Sequence, residues 1–505
     1  MNKKVYLIII ASAVVLVLFS CKSYTDLKDC EERSEYPDIF PDYTEIVIPP
    51  NIAPLNFDIK EQGIKYLVRI TAEKGKQINI LNRSSLVKIK KKIWQKLLMS
   101  NKGSEIKFDV YILNSDRRWI KYKPFAMQVA NEKIDEYLAY RLINVGYILW
   151  EKMGIYQRDL TSYKETPILH NRNTKGNCIN CHSFCNNDPE KVMFHMRDAY
   201  SGTIVSIRDS LYKVNMSTPY TMSAGVYPSW HPGGQHIAFS VNIVRQWFHA
   251  VDKRNEVYDK ASDLIIYNLK TNTITTSPKV STKRRETLPN WSPDGKYLYY
   301  CSAPELSDTI KFDEVKYDLL RVPYNIENNQ WGEVDTVLLS SELGKSISFP
   351  KISPDGKYLI FCLASHGYFT IYNVSSDLYI INLETREYYP FPFNSDYVDS
   401  YHSWSSNGRW FVFSSKRSNG LCARPYISYF DENGKSHKPF LLPQKDPRFY
   451  YSFINNYNVP ELIKSSVEVN RNKLLETVIN EPMNAEFDGN VDLDALSGAT
   501  RFANM

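Results

Sequence analysis

The sequence predicts a mainly β chain. Its larger part is a propeller of five or six blades, preceded by a small β-rich domain and a helical segment carrying a cysteine–histidine motif. Four segments repeat one another: YPSWHPGGQHIAFS (227–240), LPNWSPDGKYLYYCS (288–302), FPKISPDGKYLIFCL (349–363) and YHSWSSNGRWFVFSS (401–415). Their equivalent residues Trp230, Trp291, Ile352 and Trp404 are spaced 61, 61 and 52 residues apart, a regularity that marks repeated structural units. Aromatic residues form 13% of the chain, a share that suits strands better than helical bundles.

At the N-terminus, Lys3 and Lys4 precede an apolar run from Val5 to Phe19, followed by Ser20 and Cys21. A basic start, a short apolar segment and small residues before a cut describe a secretory signal over residues 1–20. With cysteine at the cut, Leu18-Phe19-Ser20-Cys21 resembles a bacterial lipoprotein lipobox, although Phe19 is bulkier than that family carries there. The resemblance implies lipidation of Cys21, a membrane attachment through that lipid, and an envelope location outside the cytoplasm. A plain N-terminal membrane anchor is the alternative, with the same consequence for location.

An exported chain can form disulfides. The eight cysteines nonetheless show no framework: Cys301 and Cys362 lie in apolar strand-like runs, and Cys30 and Cys185 either pair or stay free. The formal charge of +6 is spread along the chain, with no basic arm, so nucleic acid is not an expected partner.

Residues 21–44 are polar and acidic and read as a tether. From 45 to 125, alternating stretches such as IKYLVRI and IKFDVYIL predict a small β-rich domain. Its basic run VKIKKKIWQK reads as a solvated face, with anionic lipid contact as the alternative. Within 126–193, Ile134, Leu138, Leu142, Val145 and Leu149 recur at three- and four-residue spacing, which predicts an amphipathic helix ended by Gly154.

The propeller is expected over 194–465, with a weaker repeat at 194–215 and the ring-closing strand unassigned. Residues 466–505 form a tail. Each clear repeat has a turn of the Pro-Asp-Gly or Asn-Gly kind (Pro-Gly-Gly in the first) followed by an apolar strand, a hairpin device that uses glycine at φ > 0. One such unit cannot bury both faces, whereas a ring of them can. WSPDGKYLYY and ISPDGKYLIF resemble the repeats of the TolB-like propellers, relatives of the WD-type repeat proteins. That resemblance implies the fold and leaves the function open.

The stretch GNCINCHSF (176–184) has the spacing that attaches c-type haem. Two thiols on one helical turn meet the two vinyl groups of a porphyrin, and the following histidine binds the iron. Cys178 and Cys181 are then the thioether links and His182 the proximal ligand of haem c. The other readings are a zinc half-site completed by Cys185 and His170, a dithiol pair, and coincidence. In PEKVMFHMRD, His195 or Met193 is the candidate sixth ligand, with an open iron site or two packing residues as alternatives. The haem is expected between the N-terminal domain and the propeller.

The chain ends VDLDALSGATRFANM, and Asp494-Ala495-Leu496-Ser497-Gly498-Ala499-Thr500 resembles a motif on which a bacterial transferase esterifies FMN to threonine. The resemblance implies covalent FMN on Thr500, here on a tail without the folded pocket that precedes the motif in that family. An ordinary Ser-Gly turn in a loose tail is the alternative. The functional expectation is a lipid-anchored electron-transfer protein that docks a redox partner protein. The rival is a non-redox propeller binding a protein or glycan. No G-x-S-x-G elbow occurs, and no catalytic residue is assigned.

Overall fold

A computed structural model describes residues 27, 30–145, 151–219, 221, 223–247, 255–307 and 310–496 of the chain. Cys21 and Thr500 lie outside the described residues.

Six antiparallel sheets form the propeller. Blade 1 runs outward from Asn456–Ile463 through Tyr137–Ile143 and Gly154–Asp159 to Glu165–His170. Blade 2 starts from Ile179–Cys185, blade 3 from Val226–Trp230, blade 4 from Arg285–Trp291, blade 5 from Ser346–Ile352 and blade 6 from Asp399–Trp404. The six innermost strands neighbour one another in a closed cycle. The strand unassigned from sequence is Asn456–Ile463. It pairs with Tyr137–Ile143, so the last strand of the ring completes the first blade.

The helix expected from Ile134 to Leu149 is therefore corrected over the described residues, outside which Leu149 lies. Tyr137–Ile143 is a strand paired on both edges, and Gly154 begins the next strand rather than ending a helix. The reason is periodicity. Ile134, Leu138 and Leu142 are four residues apart, which is one helical turn but also two strand repeats. From Leu138 on, every residue of the strand is buried, because both faces are covered.

The repeated sequence is explained by local geometry. Gly295 and Gly356 adopt φ of 73° and 74° in the Pro-Asp-Gly turns, where the Asp294 and Asp355 carboxylates accept from the Lys296 and Lys357 amides at 3.1 Å. Each innermost strand also carries a β-bulge at a residue of positive φ. These residues are Cys181 (32°), Tyr227 (50°), Leu288 (54°), Phe349 (51°), Tyr401 (44°) and Val459 (49°). The position two residues on bonds to a neighbouring blade. Ser229 Oγ accepts from the Trp291 amide and Asn290 Oδ1 from the Ile352 amide, both at 3.1 Å. The Trp230 and Trp404 indoles donate to the Ser183 and Lys351 carbonyls at 3.1 and 2.9 Å.

The N-terminal domain comprises a seven-stranded sheet, a three-stranded sheet and the helix Lys91–Ser100, which share one core. Trp94, Leu97 and Leu98 face inward, while Lys88, Lys90, Lys91, Lys92 and Lys96 are exposed, so the basic run lies on the outer face of the helix. The core of this domain continues into blade 6. Arg448 grips Asp58 through two hydrogen bonds of 2.9 Å, fixing the two bodies together.

Beyond the ring, the chain is anchored rather than loose as far as residue 496. The helix Arg471–Ile479, capped by Asn470, lies on the outer strand of blade 2. Met483–Asn484 and Glu486–Phe487 then add parallel edge strands to blades 2 and 3. Of the threonine motif, Asp494, Ala495 and Leu496 are described, and Leu496 is buried.

Candidate functional site

The bulges of the six innermost strands surround a cavity of about 570 Å³ on the propeller axis. Every blade contributes the same three positions: the positive-φ residue and the two that follow it. In blade 2 these are Cys181, His182 and Ser183, and in blade 6 Tyr401, His402 and Ser403. The other four blades carry proline at the histidine position: Pro228, Pro289, Pro350 and Pro460. The volume falls within the roughly 300–1,000 Å³ that small-molecule and cofactor sites occupy.

The cysteine–histidine motif is thus the innermost strand of blade 2. The single helical turn expected at Cys178–His182 is corrected: the chain is extended, with a bulge between Asn180 and His182. In a regular strand, residues three apart face opposite sides. The extra residue at the bulge resets that alternation, and Cys178, Cys181 and His182 all line the cavity. The expected position between the N-terminal domain and the propeller is also corrected, since no residue of 45–125 lines this cavity.

His182 is 3% exposed, and neither of its ring nitrogens has a hydrogen bond of acceptable geometry. Its Nε2 lies 3.6 Å from Glu461 Oε1, beyond hydrogen-bonding distance. Burial, reinforced by the Arg141 charge and opposed by the nearby Val459 carbonyl, depresses the His182 pKa to about 3. A neutral imidazole is the form that ligates iron. Both cysteines are free thiols, and burial raises that of Cys178 above its ordinary value. The donor set therefore fits haem c.

Neither candidate sixth ligand lines the cavity. Met193 is fully buried in the core between blades 2 and 3, and His195 Nδ1 pairs with Thr203 Oγ1 at 3.1 Å. His195 stands opposite Asn180 in the ladder, and Met193 opposite Ser183. The zinc alternative loses its completing ligands too. Cys185 packs between blades 2 and 3, and His170 Nδ1 accepts from the Arg172 amide at 3.0 Å. Cys30 and Cys185 are unpaired.

Charged residues that the sequence reading passed over complete the site. Arg141, Arg197, Lys351, Lys464 and Glu461 line the cavity. Glu461 accepts from the Phe184 amide at 3.2 Å, and burial lifts its carboxyl to about 7 despite the Lys351 charge. Arg141 lay in the apolar run YLAYRLI, and a lone cation in a strand buried on both faces was the signal available.

No protein-family model matches the sequence, and no curated protein matches it significantly. Solved structures give low-scoring superpositions. Prolyl oligopeptidase B from Galerina marginata has a TM-score of 0.33 at 10% identity, over 66% of this chain and 42% of that one. The Dos1 propeller gives 0.28 at 14% identity, over 46% of this chain and 65% of that one. Cobalt-substituted Synechocystis ACO gives 0.37 at 11% identity, over 85% and 97%. At these scores they carry no argument, and the propeller rests on its own strand pairing.

Proposed function

We propose that this chain is an extracytoplasmic c-type haem protein, held to a membrane by lipid on Cys21, that transfers electrons to a partner protein. The observation that carries the reading is the convergence of Cys178, Cys181 and His182 on one axial cavity, with both nitrogens of a buried imidazole unpartnered. Cys178 and Cys181 would hold the porphyrin, and His182 its iron. A bound haem c supplies one-electron chemistry. The blades exclude water around it and keep His182 neutral. FMN on Thr500 would add a second redox group.

A specific observation supports a second reading. Cys181 and His182 occupy positions that every blade possesses, so the propeller repeat alone accounts for their place at the axis. On that reading the chain is a non-redox scaffold whose axial cavity receives part of a protein or glycan.

Peptide mass spectrometry separates the two. The chain is expressed with its own N-terminus in a host competent for c-type maturation and flavin transfer. Haem mass on the peptide containing 178–182, lost in Cys178→Ala and Cys181→Ala, is the expected result. FMN on the Thr500 peptide would make the protein a two-cofactor relay. Unmodified peptides, from cells shown to modify a control protein, would sink the redox reading.

A further inference from the structure

Arg141 is 8% exposed and lines the cavity. Its Nη1 donates to Asn180 Oδ1, its Nε has no partner, and it forms no ion pair with a carboxylate among the described residues. A buried guanidinium with only a neutral amide as partner is costly, because the desolvation of a charge is recovered only by a counter-charge of good geometry. The side chain is nevertheless held there by the fold. Arg141 stands opposite Asn458 in the ladder, next to the bulge that Asn456–Ile463 carries at Val459 and Pro460.

Arg197 is the second cation. It follows the strand Asp188–Met196, lines the same cavity, and its side chain has no hydrogen-bond or ion-pair partner among the described residues. Arg141 lies on the second strand of blade 1 and donates to Asn180 of blade 2, and Arg197 directly follows the second strand of blade 2, so both enter the cavity from blades 1 and 2. Glu461 is the only acidic side chain among the lining residues, against Arg141, Arg197, Lys351 and Lys464. Tyr227, Phe349, Phe369 and Tyr401 add an aromatic lining suited to a flat, apolar ligand body.

We infer that the axial cavity binds a ligand carboxylate, gripped by Arg141 with Arg197 beside it. The planar fork of a guanidinium matches a planar carboxylate through two parallel hydrogen bonds. Where that carboxylate is a porphyrin propionate, the inference rests on the haem reading above. Where it belongs to a free small acid, the inference stands without that reading.

The test uses the full chain produced without covalent haem, titrated by tryptophan fluorescence and calorimetry. The probes are metal-free mesoporphyrin, which has two carboxylates and no vinyl groups for thioether formation, its dimethyl ester, and succinate. Loss of a charge-assisted pair is worth about tenfold to a hundredfold in affinity. Arg141→Gln is expected to weaken mesoporphyrin by that factor, Arg141→Lys by less, and Arg197→Gln several-fold. The ester should be indifferent to all three. Arg141-dependent binding of succinate with no porphyrin binding keeps the carboxylate site and removes the haem reading. Porphyrin binding indifferent to both arginines overturns the inference and leaves the haem reading standing. Absence of binding by either acid also overturns it. Thermal melts check folding, and if Arg141→Gln does not fold, unchanged binding in Arg197→Gln overturns the inference.

Discussion

Blades 2 and 6 present the same device with different chemistry. Both carry histidine directly after the positive-φ residue of the innermost strand, and both histidines are 3% exposed with pKa values depressed by burial to about 3. His402 is a satisfied core residue. Its Nε2 donates to the Ile360 carbonyl at 2.9 Å, and its Nδ1 lies 3.8 Å from Cys362 Sγ. His182 has neither partner. Two cysteines accompany it on the cavity wall, whereas His402 has Tyr401 in the position of Cys181. The backbone thus brings a histidine to the axis in either blade, and the surrounding partners decide whether the ring is spent on the fold or left for a ligand.

The largest difference is expected in iron ligation. In matured protein, His182→Ala should remove the proximal ligand and alter the haem spectrum, while His402→Ala should leave the spectrum intact. Equal spectral effects from both would erase the distinction between the two blades.

A smaller effect concerns stability in the unmodified chain. His402→Phe leaves the Ile360 carbonyl without its donor, at an expected cost of about 1–3 kcal/mol. His182→Phe removes a ring whose nitrogens have no partner, and should be neutral or stabilising by up to about 1 kcal/mol. Denaturant unfolding midpoints of the two variants check this directly. A loss in His182→Phe as large as that in His402→Phe would show that His182 has a structural partner.

The pH dependence sharpens the contrast further. The His182 pKa falls from 6.5 to about 3 on folding, so the unfolded chain binds more protons between those values and stability drops as pH falls through that window. Glu461 behaves oppositely. Its carboxyl rises from 4.5 to about 7, so the folded chain binds more protons and stability drops as pH rises through that window. Glu461→Gln should therefore gain about 1–3 kcal/mol relative to wild type at pH 8 and nothing at pH 4. His182→Phe should lessen the acid sensitivity that wild type shows below pH 6. Urea unfolding at pH 4, 6 and 8 resolves the two slopes, and parallel pH profiles for all three proteins would contradict both assignments.

Much of the propeller was legible because its signals are local. The Pro-Asp-Gly turns need glycine at φ > 0, and Trp230, Trp291 and Trp404 recur because each sits beside the bulge of a neighbouring blade. Blades 1 and 2 carry no such local signal, for physical reasons. Blade 1 takes its innermost strand from residues more than 300 positions away, a pairing no local pattern announces. Its second strand, buried on both faces, loses the alternation that distinguishes strand from helix. In blade 2 the cysteine–histidine spacing suggested a helical turn, and the inter-strand ladder imposed a bulged strand instead.

The sequence by itself determined the repeat, its turns and the residue types able to hold a haem, because each depends on neighbours within a few positions. Tertiary structure alone decided that Cys178, Cys181 and His182 face one axial cavity, that Met193 is spent between blades 2 and 3, and that His195 is spent on Thr203 within blade 2. It also decided that Arg141, Arg197 and Glu461 join the site. These outcomes depend on ring closure, which brings side chains from six blades to one axis, and on the resulting burial, which leaves some polar groups partnered and others not.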